Sequence, residues 1–402
     1  MTPAMAALHI ADPRERRLVA AADRLLWLAA APRKWWRPSA APASPHRILL
    51  LRLERIGDLL MVVPAIADLR ALLPGATIDL VVGSWNRSLA ETIPGVSRVE
   101  TLDAEWLARG PGGAAMPALI RHARTWRQRQ YDLAINFEPD IRSNLLLAAS
   151  GAAFTIGFSS GGGGAVLDRA LAYDPRAHTT DNARRLIASV ISRGSPDRDP
   201  PPLRLGDDVR RDAAQRLTRA GNGPLVGLHV SAGRAVKQWE PERFADVARQ
   251  LVTSTGATIV LTGAPEDGPL IEAVRSRLAD CPVIDVSGDV DLTVLAAVLQ
   301  RLDLLVTGDT GPMHLAVAVG TPVVAIFGPS DPARYGPRGP HDRIVRIDLP
   351  CSPCNRIRQP PARCVGHTPD CLSFLPATLV VDAALGVLAA SGALRGEHAG
   401  RA

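Results

Sequence analysis

Three short stretches bring together residue types able to do chemistry. Residues 306–315 read VTGDTGPMHL. A strand ending at Gly308 passes into a tight turn, Asp309-Thr310-Gly311, and a helix is expected from Pro312. The first amides of a helix lack intrahelical partners, and the helix dipole favours negative charge there. Gly308 and Gly311 leave room for a phosphate or diphosphate to reach such a start. His314, one turn in, is able to point at the same ligand. A plain helix cap accounts for Asp309 or Thr310 alone. It does not account for Gly, Asp, Thr, Gly and His together, so a ligand site is the better expectation.

The second stretch, residues 230–239 (VSAGRAVKQW), follows a strand directly. It carries Ser231 and Lys237. All but Lys34 and Lys237 of the 46 basic residues are arginine, so a lysine here hints that a flexible ammonium is wanted. An ammonium suits a diphosphate whose charge changes as a bond breaks; a solvated surface lysine is the plainer alternative. In the third stretch, residues 53–60 (LERIGDLL), Asp58 sits where a helix starts. Local evidence favours a helix cap, a contribution of about 1 kcal/mol. A carboxylate there can also accept a proton from an attacking hydroxyl, and the two roles can coexist.

These stretches sit on an alternation of strands and helices. Residues 47–53 (RILLLRL) read as a buried strand, and a helix is expected over 59–73. Strands are expected at 77–82 and 131–136, and a helix around 143–149. After a Pro/Asp/Gly-rich linker at 194–208 the pattern restarts. Strands are expected at 224–230, 258–263, 302–307 and 322–327. Helices are expected at 241–254, 268–278, 292–299 and 312–318, and a final one at 374–389. Such alternation implies parallel sheets covered on both faces, here two Rossmann-like halves with a cleft facing the strand ends. Four glycines at 161–164 are expected to form a mobile loop.

The domains expected are an N-terminal extension at 1–45, a first Rossmann-like domain at 46–200, a second at 201–345, and a cysteine-containing segment with a last helix at 346–402. Apolar residues make up 47% of the 402 and charged ones 21%, which excludes disorder for the bulk of the chain. No run reaches the ~18 apolar residues of a spanning helix. With Asp12, Glu15 and Asp23 early in the chain, no secretory signal is read. A cytoplasmic location is expected. The net charge of +6 is modest and no dense basic run lies outside residues 14–37, so nucleic acid is not an expected partner. Residues 1–45 carry Arg14, Arg16, Arg17, Arg24, Arg33, Lys34 and Arg37, with Trp27, Trp35 and Trp36. Leu18, Ala22, Leu25 and Leu28 fall on one helical face. An interfacial helix on anionic lipid and a helix packed on its own protein both fit. Cys351-x2-Cys354-x9-Cys364-x6-Cys371 raises a weak candidate for a structural metal, against reduced, partly buried thiols. Asp289 and Asp291 have the spacing of a metal pair, but they precede a helix and are read as caps.

Arg55-Ile-Gly-Asp58, residues 237–241 (KQWEP) and residues 308–314 (GDTGPMH) resemble the three signatures of glycosyltransferase family 9, the bacterial lipopolysaccharide heptosyltransferases. Residues 131–158 and 320–336 share the resemblance, which spans about 47–375. It implies a GT-B fold of two facing Rossmann-like domains, acceptor first and nucleotide sugar second, with the last helices crossing back to the first domain. It implies Asp58 as general base, Lys237 at the donor phosphate and Asp309 at the donor sugar. Ser231, Thr310, Gly311 and His314 would face the donor, Glu266, with Asp267 as the competing choice, would hold the ribose, and Arg55, Arg142 and Ser143 would meet the acceptor. Asn136 and Glu138 depart from the family's usual Asp and Gln. The implied reaction is an inverting transfer of a sugar onto a lipid-linked saccharide, ADP-heptose being the family's usual donor. No cofactor or metal is expected to be required. Contact with the inner face of the inner membrane is expected through residues 1–37. Another GT-B enzyme, such as a nucleotide-sugar epimerase, and a non-catalytic nucleotide-sugar binding protein are the alternatives.

Overall fold

The computed structural model describes residues 8–10, 12–36, 40–108, 112–191 and 199–393. Arg37, the side chains of Arg33, Lys34, Trp35 and Trp36, and residues 194–198 of the expected linker lie outside that description. Contacts divide the chain into two compact units, Met1–Pro201 and Pro202–Ala402.

In the first unit β1 (Arg47–Leu51), β2 (Thr77–Val82), β3 (Arg98–Thr101), β4 (Leu133–Asn136), β5 (Phe154–Phe158) and β6 (Arg169–Leu171) form one sheet. Its order is β3-β2-β1-β4-β5-β6, and every pair is parallel. Ile48 to Leu51 are fully buried, because helices cover both faces of a parallel sheet and its central strand must be apolar throughout. In the second unit β7 (Leu225–His229), β8 (Thr258–Thr262), β9 (Val283–Asp285), β10 (Leu304–Gly308), β11 (Val323–Ile326) and β12 (Arg343–Val345) repeat the plan as β12-β11-β10-β7-β8-β9. Strand order reverses between β1 and β4 and again between β7 and β10. Loops diverge at such a switch point and leave a crevice at the carboxyl ends of the strands.

Several local expectations change. The single helix expected at 59–73 is two, Ile56–Leu60 and Val63–Leu72. Pro64 offers no N–H and can be accommodated only in a first turn, so the helical ladder restarts there. The last helix runs Ala377–Ala390 behind Pro376. Its Val380, Val381, Ala384, Val387 and Leu388 join the core of the second unit, against the helix Pro241–Thr255 and the β10–β12 side of the sheet.

The glycines at 161–164 are no loose loop. A Cβ on Gly161 would lie 1.7 Å from the Pro139 carbonyl oxygen, and one on Gly162 would lie 2.5 Å from Val19 Cγ1. Gly162 and Gly163 also hold positive φ angles of 88° and 75°, which glycine tolerates best. The run is a close-packed seat for the N-terminal helix Pro13–Trp36. Asp12 caps that helix through the amides of Arg14 and Glu15. Asp23 then accepts a 2.7 Å bond from the Gly163 amide.

Candidate functional site

In the first unit the end of β1 runs directly into Arg52, which is buried. Its guanidinium donates to the Phe137 carbonyl at 2.9 Å, to the Asp58 carbonyl at 3.1 Å and to Asp58 Oδ1 at 3.2 Å. It also pairs with Glu54 at 3.0 Å. Asp58 lies inside the helix Ile56–Leu60, whose N-cap is Arg55, so Asp58 is not the cap. Its carboxylate is 30% exposed, and on the protein side it is held by Arg52.

Glu138, after β4, is buried behind the same loop. One of its oxygens accepts from the amides of both Leu53 and Glu54. Burial, with the nearby Glu54 charge, pushes its carboxyl up to about 8, against the pull of Arg52. Trp85 Nε1 and Asn86 Nδ2 close on the Glu54 carbonyl at 3.1 and 2.8 Å. Asn136 is a buried hub. It donates to Ser143 Oγ, Asn144 Oδ1 and the Glu138 carbonyl, and it accepts from the Glu138 amide.

Of the acceptor residues expected, Arg55 is half-buried at its cap position. Arg142 forks onto its own helix cap, Asp140, at 3.0 and 2.5 Å and lies 4.8 Å from the Trp106 ring. Ser143 is fully buried, its hydroxyl given to the Asp140 carbonyl. That is a structural position behind the surface, and the acceptor contact expected of Ser143 is withdrawn.

In the second unit both chemical stretches meet at the β7/β10 switch point. Lys237 Nζ donates to the Asp309 carbonyl at 2.5 Å and to its carboxylate at 3.0 Å. The two side chains are 17% and 13% exposed. The following helix begins one residue earlier than expected, Gly311–Ala318. Its N-cap, Thr310, makes no side-chain cap bond and instead shares a 3.1 Å bond with Thr307. The helix start is therefore left without an internal anion surrogate. His314 stands half-buried in the first turn.

Ser231 approaches His229 Nε2 at 3.1 Å, and His229 Nδ1 approaches Thr262 Oγ1 at 3.2 Å. Burial lowers the imidazole to about 4, so it is neutral near pH 7. Glu266 is exposed in the turn Pro265–Asp267, whereas Asp267 is used up on the Ala264 amide. Asp291 caps the helix Leu292–Gln300, as its place before a helix implied.

The four C-terminal cysteines carry free thiols. Burial pushes the Cys371 thiol up to about 11, with Cys354, Cys364 and Cys351 adding to the shift. Among the described residues no group of three or more His, Cys, Asp or Glu side chains could hold a metal ion, so the candidate metal cluster is not formed.

Sequence reasoning missed Arg52 and the anchoring role of Glu138. Arg52 ends a strand-like RILLLRL run, where a basic residue reads as the strand's exit to solvent. A charged residue embedded in such an apolar run was the available signal.

Two doubly wound parallel units in tandem, one with a carboxylate and the other with an anion-ready helix start at its switch point, are the units of a GT-B fold. The description of glycosyltransferase family 9 (heptosyltransferase) matches residues 119–363, and the chain belongs to that family. A lipopolysaccharide core heptosyltransferase, OpsX, of Haemophilus influenzae is 23% identical over 76% of this chain and 85% of its own. The crystal structure of a family 9 glycosyltransferase from Veillonella parvula aligns with a TM-score of 0.74 at 25% identity, covering 87% of this chain and 99% of that one. An ADP-heptose lipopolysaccharide heptosyltransferase II of Escherichia coli aligns at 0.68 and 20% identity, over 86% and 99%.

Proposed function

We propose that the enzyme moves a heptose from ADP-heptose onto a lipopolysaccharide core or related lipid-linked saccharide, with inversion at the anomeric carbon. Asp58 takes the proton of the acceptor hydroxyl as its oxygen bonds to that carbon. The bond to the diphosphate breaks and ADP leaves, its growing charge met by Lys237 and the start of the helix Gly311–Ala318. Ser231, Asp309, Thr310 and His314 orient the donor, Glu266 meets the ribose from its exposed turn, and Arg55 and Arg142 meet the acceptor. Arg52 holds Asp58 in register, and Glu138 ties down the loop between them. The proposed place of work is the cytoplasmic face of the inner membrane, where a lipid-linked acceptor is met. Among the described residues no helix is long and apolar enough to cross a membrane.

The observation that carries this reading is the Lys237–Asp309 pair beside an uncapped helix start. An ammonium parked on a neighbouring carboxylate is available to a diphosphate that offers more charge. The test is a thermal-shift screen followed by transfer assays. ADP-sugars are expected to raise Tm more than UDP- or GDP-sugars, and ADP-heptose to be consumed only when acceptor is present. Equal shifts with all three bases sink the donor assignment. Conversion of the donor sugar without acceptor sinks the transferase.

A further inference from the structure

The N-terminal helix Pro13–Trp36 packs one face on its own protein and leaves the other exposed. One face is used internally. Val19, Asp23, Leu26 and Ala30 turn inward, Ala30 being buried. Val19 meets Gly162, Asp23 bonds the Gly163 amide, and the His9 amide just before the helix donates to the Ser160 carbonyl. The helix is thereby fixed to the first unit.

The opposite face is left uncovered. Leu18 is 72% exposed, Leu25 69% and Leu28 63%, far more than globular proteins leave most leucines. Leu18 and Leu25 are seven apart and Leu28 three further on, so they form one row along the axis. Arg17 and Arg24, also seven apart, run beside that row, and Arg14 lies four before Leu18. All three arginines are exposed. Of the two acidic residues in this stretch of helix, Asp23 is turned inward onto Gly163 and Glu15 sits where it acts on Arg142. The outward face is thus mainly leucine and arginine, with the exposed Glu15 at its edge on the side toward Arg142. That composition suits a surface with apolar chains below and anionic headgroups above. A protein partner would have to offer an acidic rim around an apolar trough.

We propose that this face is a docking surface for an anionic phospholipid bilayer. The helix is seated on the glycine run, which itself lies against Ile141, the first residue of the helix Ile141–Ala149 that also carries Arg142. The inference rests on the lipid-linked acceptor for its purpose, but its test reads binding without transfer.

Flotation of the full chain with phosphatidylethanolamine vesicles containing phosphatidylglycerol should recover bound protein. Phosphatidylcholine vesicles should recover little, and added salt should weaken binding through the arginines. Leu18, Leu25 and Leu28 each replaced by Glu in one variant should lower vesicle binding at least about tenfold, with Tm changed little because these side chains are mostly exposed. Arg14, Arg17 and Arg24 each replaced by Gln should remove the preference for anionic lipid.

Transfer by the leucine variant to a detergent-free, delipidated acceptor should match the parent, while transfer to vesicle-embedded acceptor should fall. Full binding by the leucine variant overturns the proposal, as does failure of the parent chain to float. A parent dimer that the leucine variant converts to monomer, without any vesicle binding, overturns it in favour of a second copy of the chain. Vesicle binding that survives while no sugar is transferred under any condition counts against the proposed reaction and leaves the docking surface standing.

Discussion

The two units share one strand order and place their chemistry at equivalent points, yet they equip those points in opposite ways. The first fills the β1/β4 switch point with a buried guanidinium and three carboxylates, Glu54, Asp58 and Glu138. The second fills the β7/β10 switch point with glycines, one ammonium paired with the single carboxylate of Asp309, and a helix start that has no side-chain cap. A charge network that fixes a carboxylate suits the handling of a proton. Small residues and unspent amides suit an anion. The common fold therefore sets where chemistry occurs, and the few residues at the reversal set which chemistry.

That contrast is open to direct attack. Asp58→Asn should cut turnover about a thousandfold while the donor-induced rise in Tm stays as in the parent. Loss of donor binding in this variant would erase the division of labour. Lys237→Ala should lower kcat/KM by about a hundredfold and shrink the donor-induced shift. Lys237→Arg should restore only part of it, since a planar fork does not replace a compact ammonium.

Arg52→Met should cost about 1–2 kcal/mol of stability, because Glu54 and Asp58, which keep partial access to water, lose their shared cation. It should lower kcat about tenfold with donor KM unchanged, a pattern expected of residues that position the base. A donor KM that rises with it would move Arg52 out of that role. The smallest effect is expected from Glu138→Gln. Its carboxyl is raised from 4.5 to about 8, so the stability it contributes is present below 4.5 and is lost as pH climbs through 8. Gln keeps an oxygen for the Leu53 and Glu54 amides without that loss. The variant should match the parent near pH 4.5 and exceed it by about 1–2 kcal/mol above pH 8. Denaturant midpoints across that range give the measurement.

The second site was the more legible from sequence because its parts are local. Gly308, Asp309, Thr310, Gly311 and His314 fall within seven residues, and a rare lysine marks their partner. The first site was half hidden. Asp58 was visible, but Arg52 works through the Phe137 carbonyl 85 residues away, and Glu138 holds amides at a like distance. Long-range bonds leave no periodicity to read. The sheets were legible because buried parallel strands are apolar throughout. The N-terminal helix was harder to orient. The inward-facing Asp23 is charged and the outward Leu18 apolar, so hydrophobicity alone points the helix the wrong way round. Only the Gly163 amide explains why a carboxylate faces in.

The seat made by residues 161–164 has a practical consequence. With no side chains of their own there, the glycines leave Ile141 and a bare stretch of backbone to be sheltered by Val19 and its neighbours. A shortened chain starting at residue 46, a natural choice for expression, would unroof that furrow and leave the Gly163 amide without the Asp23 carboxylate. Such a fragment should be stickier and less well behaved than the full chain, and its defects would say little about the reaction itself.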